Sequence, residues 1–222
     1  MIRAVIFDFD GVIADTEPLH CDALQRVLRG AGIHLSKADY FTKYIGLTDR
    51  ALLYRLCADL QQPLDEAEAE QLLKSKDQSY LAMITKGIEP LPGVREFVAR
   101  AVERWPLAIC SGALRVEIET ILRGTGLLGL FKIIVSSDEV ATSKPDPTGF
   151  LHTLGLLRRV IPDLAAGDCL VVEDSVHGMT AAKAAGMPVL AVLSQCSAES
   201  LSRADAVVPD LRAVTEAMLA IF

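Results

Sequence analysis

The 222-residue chain has no paired-cysteine motif, no surplus of positive charge and no long uninterrupted apolar segment. Its five cysteines, Cys21, Cys57, Cys110, Cys169 and Cys196, are odd in number, and none are spaced C-x-x-C. That speaks against a disulfide framework and fits free thiols in a reducing compartment, so a cytoplasmic location is expected. Lysine and arginine number 22 against 29 aspartate and glutamate, a formal net charge of −7. A chain without a basic face is a poor partner for a nucleic-acid backbone. No stretch reaches the length of a membrane span, and the apolar start "MIRAVIFDFDG" is broken by Arg3 and Asp8 before it could form a signal core. Internal repeats and low-complexity segments are also missing. What remains is 51% hydrophobic, enough for one large domain or a core with a smaller insertion, expected as a monomer.

Two patterns of apolar residues divide what is present. "AVIF" is a short, partly β-branched run that reads as a buried strand. From Glu17 to Thr85 the apolar residues recur every three or four positions, in "LHCDALQRVLRGAG", "DRALLYRLCADL" and "LDEAEAEQLLKSKDQSYLAMI". These are amphipathic helices, punctuated by Gly32, Gly46 and Pro63. After "EPLPGV" and a helix beginning near Gly93, strands and helices alternate: "LAICS", "FKIIVSS", "CLVVED", "PVLAVL" and a short strand near Ala206 to Val208. Alternation of this kind implies a parallel sheet with helices on both faces. The expected fold is therefore an α/β, Rossmann-like parallel-sheet core, residues 1–15 and 86–222. A helical cap, residues 16–85, is inserted after its first strand.

Ligands of open parallel sheets bind beyond the carboxyl ends of the strands. Polar residues gather at those ends: Asp8 and Asp10 after the first strand, Ser111 with Gly112 after the second, Lys144 in the loop after the third, Glu173 and Asp174 after the fourth. Four carboxylates in one place repel each other and oppose folding unless a cation is present. Oxygen ligands of this type suit Mg²⁺, which often holds a substrate phosphate as well. With Lys144 added, the set reads as carboxylates, a hard metal and an amine around a phosphoryl group. Asp8 is a candidate nucleophile, and Asp10 is placed to move protons.

"DFDGV", "CSG", "SKPDP" and "VVEDS", in that order, resemble the four motifs of the haloacid dehalogenase superfamily. The helical insert resembles the cap of its β-phosphoglucomutase-like phosphatases. The resemblance spans essentially the whole chain and implies the following roles. Asp8 is the nucleophile that forms an aspartyl-phosphate. Asp10 is the general acid and base, and its carbonyl joins Asp8 and Asp174 around Mg²⁺. Ser111 and Gly112 meet the phosphoryl oxygens, and Lys144 offsets charge between nucleophile and phosphate. Glu173 is either a further metal ligand or an anchor for nearby backbone amides. Glu17 is expected near the site mouth, and Thr16, His20 and Lys76 fall where hinge and cap contacts would lie.

Bland readings account for other residues: His34, His152 and His177 as surface or loop residues, the cysteines as core fillers, "DEAEAE" as a solvated helix face, and Gly178 as a steric requirement. The expected activity is Mg²⁺-dependent hydrolysis of a small phosphorylated metabolite. The alternative is a hexose phosphate mutase using the same aspartyl-phosphate. A non-enzymatic phospho-acceptor domain would not carry a cap of this size. Asp10 counts against dehalogenation and phosphonate cleavage, which do without the second acid. Against the mutase stand Asp49 and Leu52, where the mutase pattern has Arg and Ser. Arg50 is displaced by one position, about 100° around a helix.

Overall fold

The computed structural model describes residues 1–194 and 196–222. The chain divides into two compact units, Met1–Asp15 with Ile88–Phe222, and Thr16–Gly87.

The first unit is built on six parallel strands: β1 (Ala4–Phe7), β2 (Leu107–Cys110), β3 (Phe131–Val135), β4 (Cys169–Glu173), β5 (Val189–Val192) and β6 (Ala206–Val208). Their spatial order is β3-β2-β1-β4-β5-β6. Every residue of β1, β2, β4 and β5 is buried. Such strands read as continuous apolar runs because both faces of a parallel sheet are covered. Side chains alternate along β1. Ala4 and Ile6 join a core cluster with Phe150 and Leu154 of α7 (Thr148–Leu157) and with Met179 and Ala182 of α8 (Val176–Ala184). Phe7 faces the other way and meets Phe97 of α5 (Val94–Val102) edge-on, with ring centroids 5.9 Å apart. Truncating either ring to alanine should cost about 3–5 kcal/mol.

Strand pairing positions the polar ends. Phe7 pairs with Val172 and with Ile109, so Asp8 is level with Glu173 on one side and Cys110 on the other. Strand order reverses beside β1, which is where ligands of doubly wound sheets bind. The strands stop slightly earlier than their apolar runs suggest. "FKIIVSS" ends as a strand at Val135, because the Glu139 carboxylate accepts from the amide and hydroxyl of Ser136 and turns the chain.

The second unit is helical: α1 (Glu17–Gly30), a short α2 (Lys37–Asp39) that continues as a wide turn over Tyr40–Tyr44, α3 (Asp49–Asp59) and α4 (Glu66–Ile84). Leu24 and Leu28 of α1 pack with Leu52, Leu53 and Leu56 of α3 and with Ala69 of α4. A reciprocal cap starts α4: Asp65 accepts from the Glu68 amide, and Glu68 accepts from the Asp65 amide. Among the described residues no helix is long and apolar enough to cross a membrane.

Candidate active site

Three buried carboxylates, Asp8, Glu173 and Asp174, meet at the carboxyl ends of β1 and β4, with ligand-capable atoms all within 4.8 Å of one another. Lys144 joins them, its Nζ donating to Asp8 Oδ1 at 2.6 Å and to Glu173 Oε1 at 2.7 Å. The ammonium also lies 5.1 Å from the centre of the Phe150 ring. Burial works against the lysine's charge, but Asp8 and Glu173 more than offset it, and its pKa lies above the ordinary value. Lys144 therefore stays an ammonium.

Glu173 is fully buried, and four donors reach its carboxylate. Lys144 takes Oε1, while the amides of Asp174 and Ser175 and the Ser175 hydroxyl all point at Oε2, each at 2.9 Å. The Ser175 oxygen in turn accepts from the Gly178 amide and caps α8. Gly178 has a steric reason: a Cβ there would stand 1.5 Å from Glu173 Oε1. Glu173 lies within reach of the same ion as Asp8 and Asp174, but its oxygens are the most heavily engaged of the three.

Asp8 and Asp174 carry the electrostatic cost. Burial pushes the Asp8 carboxyl well up; Lys144 opposes this, and Glu173, Asp174 and Asp10 add repulsion. Asp174 is pushed up to about 7, first by burial and then by Glu173. Three buried carboxylates against one ammonium leave two negative charges unbalanced, a donor set that fits a divalent cation with oxygen ligands.

Asp10 lies in the turn after β1, less buried than Asp8 and near enough to raise the pKa of both Asp8 and Asp174. Gly11 N donates to Ala14 O at 2.8 Å, and Gly11 has a φ of 77°, open to glycine without strain. A Cβ at Gly11 would stand 2.0 Å from Asp174 Oδ2 and 3.0 Å from Ser194 Oγ. Ser194, whose Oγ lines the same space beside Asp174, is absent from the four-motif pattern. Its position two residues beyond β5 is the signal that could have found it.

Ser111 is buried at the end of β2, and its oxygen accepts from the Ala113 amide at 3.0 Å. Its hydroxyl proton is thereby left to donate elsewhere. Gly112 is exposed, and a Cβ there would meet no protein atom within 4 Å, so nothing in the protein itself demands glycine. Cys110 is a buried thiol pushed up by burial, unlike a reactive one.

The remaining candidates, Glu17, His20 and Lys76, belong to the helical unit. Glu17 accepts from the buried Tyr40 hydroxyl at 2.6 Å. Lys76, only 2% exposed, lies 2.6 Å from Asp49 Oδ2 and 2.9 Å from His20 Nδ1. The His20 ring stacks on Tyr80 with centroids 3.9 Å apart. Burial, and then the Lys76 charge, lower the His20 pKa to about 4, so the imidazole is neutral at physiological pH. With the ammonium donating to Nδ1, the ring proton is on Nε2. Arg50 points elsewhere, paired with Glu66 and Glu70. Asp49 as the partner of Lys76 is visible only in the fold.

A profile of haloacid dehalogenase-like hydrolases matches residues 5–192. Protein CbbY of Rhodobacter capsulatus is 33% identical over 222 residues, covering 96% of this chain and 95% of that protein. Phosphoglycolate phosphatase of Mesorhizobium japonicum is 33% identical over 192 residues, 85% of this chain and 81% of that one. The crystal structure of CbbY from Rhodobacter sphaeroides in complex with phosphate shares the fold, with a TM-score of 0.86 at 23% identity over 99% of this chain and 100% of that one.

Proposed function

The chain belongs to the haloacid dehalogenase-like hydrolases and is a phosphohydrolase, and from that premise we propose that it is a Mg²⁺-dependent phosphatase of small phosphorylated metabolites, such as sugar phosphates, working through an aspartyl-phosphate. The observation that carries this reading is the buried cluster of Asp8, Glu173 and Asp174 bridged by Lys144.

Asp8 attacks phosphorus through a carboxylate oxygen, and the bond from phosphorus to the leaving oxygen breaks. Asp10 gives that oxygen a proton. Asp10 then takes a proton from the water that attacks the aspartyl-phosphate, which releases inorganic phosphate and frees Asp8. Lys144 balances charge on Asp8 and on the transferring phosphoryl group, and the Ser111 hydroxyl donates to a phosphoryl oxygen. Asp8, Asp174 and the Asp10 carbonyl would hold Mg²⁺, with Glu173 steadying Lys144 beside them. The bound ion supplies positive charge for the nucleophile and the phosphoryl oxygens. The helical unit, Thr16–Gly87, acts as a cap that limits water and selects the leaving group. The protein acts as a monomer, and its free cysteines support a reducing, cytoplasmic compartment.

The mutase reading shares every core residue and must be separated by the helical unit. A mutase has to grip a second phosphate. Here Asp49 already pairs with Lys76, and Glu66 and Glu70 already pair with Arg50. Neutralised cations are poor phosphate anchors. The test supplies β-glucose 1-phosphate with a catalytic amount of the 1,6-bisphosphate and follows two products. Release of inorganic phosphate is expected; rapid formation of glucose 6-phosphate with little free phosphate would overturn the assignment. Full turnover of an aryl phosphate after chelation would sink the metal requirement.

A further inference from the structure

The turn that carries Ser111 and Gly112 runs from the end of β2 to α6 (Arg115–Thr125), and the chain that follows β3 holds it from one side. The Ser111 amide donates to Val135 O at 3.0 Å, the last rung between the two strands. Two residues on, the Ala113 amide donates to Ser111 Oγ at 3.0 Å. The Ala113 carbonyl accepts from the Ser137 amide at 3.0 Å and from the Ser137 hydroxyl at 3.1 Å. The placement of the Ser111 hydroxyl therefore depends on where segment 136–139 stands.

Arg115 joins the two segments. Its guanidinium donates to Ile134 O and to Glu139 Oε2, and it lies 3.4 Å from Glu119 Oε1, one turn along α6. β3 is an edge strand, and Val135 O faces β2, so the preceding carbonyl, Ile134 O, faces away from the sheet. Arg115 supplies the donor that the missing neighbour strand does not. Glu139 Oε2 also accepts from the buried Ser136, through its amide at 3.1 Å and its hydroxyl at 3.0 Å. One guanidinium thus spans a β3 carbonyl and the carboxylate that turns the chain after β3, and charge-assisted bonds of this kind are the strong ones.

We propose that Arg115 is a positioning residue for the phosphoryl-binding turn: it ties the start of α6 to β3 and Glu139, and so fixes the Ser111 hydroxyl where it meets a phosphoryl oxygen. Such a bond weakens steeply when distance or angle shifts, so the donor has to be held in place before the ligand arrives. With its guanidinium committed to Ile134, Glu139 and Glu119, Arg115 acts through Ser111 and not on the substrate. The proposal rests on the reading that Ser111 binds the transferring phosphoryl group.

The experiment measures hydrolysis of an aryl phosphate by the full chain with saturating Mg²⁺, and its competitive inhibition by inorganic phosphate. It compares the wild type with Ser111→Ala, Arg115→Ala and Arg123→Ala. Arg115→Ala should raise both KM and the phosphate Ki by about 10-fold, less than the ~100-fold that a misplacement of about 1 Å can cost, because Ser137 still holds Ala113. Arg123→Ala removes the other guanidinium facing Glu119 and should match the wild type. A merely structural Arg115 would lower kcat with the folded fraction and leave KM and Ki unchanged; that result, or an equal rise of both constants in Arg123→Ala, overturns the proposal. A phosphate Ki unmoved by Ser111→Ala overturns the phosphoryl role of Ser111 itself. A raised Ki in Ser111→Ala with an unmoved Ki in Arg115→Ala overturns only the role of Arg115.

Discussion

The two units each bury an ionic cluster, and the clusters differ in their charge balance. At the strand ends, Asp8, Glu173 and Asp174 outnumber Lys144. In the helical unit, the buried Lys76 lies 2.6 Å from Asp49 and 3.9 Å from the half-exposed Asp77, and it also meets a neutral imidazole. A surplus of buried carboxylates opposes folding and demands a cation; a buried ammonium faced by carboxylates that reach solvent is complete as it stands. The first arrangement suits chemistry on a phosphoryl group, and the second suits fixed hydrogen-bond donors.

The sharpest way to break this contrast is at Asp8. Asp8→Asn keeps the shape but lacks the nucleophile, so aryl phosphate hydrolysis with Mg²⁺ should fall by on the order of 10⁴-fold or more, with an unchanged circular dichroism spectrum. Asp10→Asn should lose about 10²–10⁴-fold, since both proton transfers depend on it. Comparable loss from His20→Asn would erase the distinction between the two clusters.

Asp174 tests the surplus itself. Its pKa is raised to about 7, so the folded protein holds a proton there that the unfolded chain releases above the ordinary carboxylate range. Without metal, that costs stability as pH rises from about 4 to 7, by a few kcal/mol at most. Asp174→Asn should therefore melt on the order of 5 °C higher than the wild type in chelator at pH 8, and added Mg²⁺ should stabilise only the wild type. A variant that melts lower would mean that Asp174 contributes more to the fold than its repulsion removes.

Asp49 tests the balance. Asp49→Asn leaves the buried Lys76 ammonium with only the more distant and half-exposed Asp77 as counter-charge, and because Asp49 is itself about one-third exposed the loss is put at about 1–2 kcal/mol, a few degrees in melting temperature. Replacing both partners, Asp49→Asn with Lys76→Met, should recover most of that loss.

The smallest effect is a difference in pH response. His20 has a depressed pKa, so its contribution is present above about 6.5 and is lost as pH falls toward 4. Hydrogen exchange of the metal-free protein, corrected for intrinsic rates, should show α1 and α4 less protected at pH 5 than at pH 7. The amides of β1 and β4 should move the other way, because Asp8 and Asp174 are relieved by protonation. Parallel trends in the two units would end the comparison.

The α/β class was legible in the sequence because strand and helix periods are local properties. A buried parallel strand has to be an apolar run such as "AVIF" or "CLVV", and it has to end in polar residues where the sheet meets solvent. Asp8, Ser111 and Asp174 could be found one strand at a time for that reason. That Gly178 is needed was legible too, but not why: the reason is Glu173, whose carboxylate fills the space a side chain would take.

Other facts depended on which elements became neighbours. Lys144 bridges Asp8 and Glu173 because Phe7 pairs with Val172, which brings the ends of β1 and β4 level. Ser194 comes beside Asp174 at Gly11 because β5 lies next to β4. Asp49 meets Lys76 and Arg50 does not, because adjacent residues of a helix point about 100° apart. The residue types and their place at strand ends are written in the chain, since hydrophobic period and polar termination act over a few residues. Which charge meets which partner was decided by strand register and helix facing, and these exist only once the distant segments have packed.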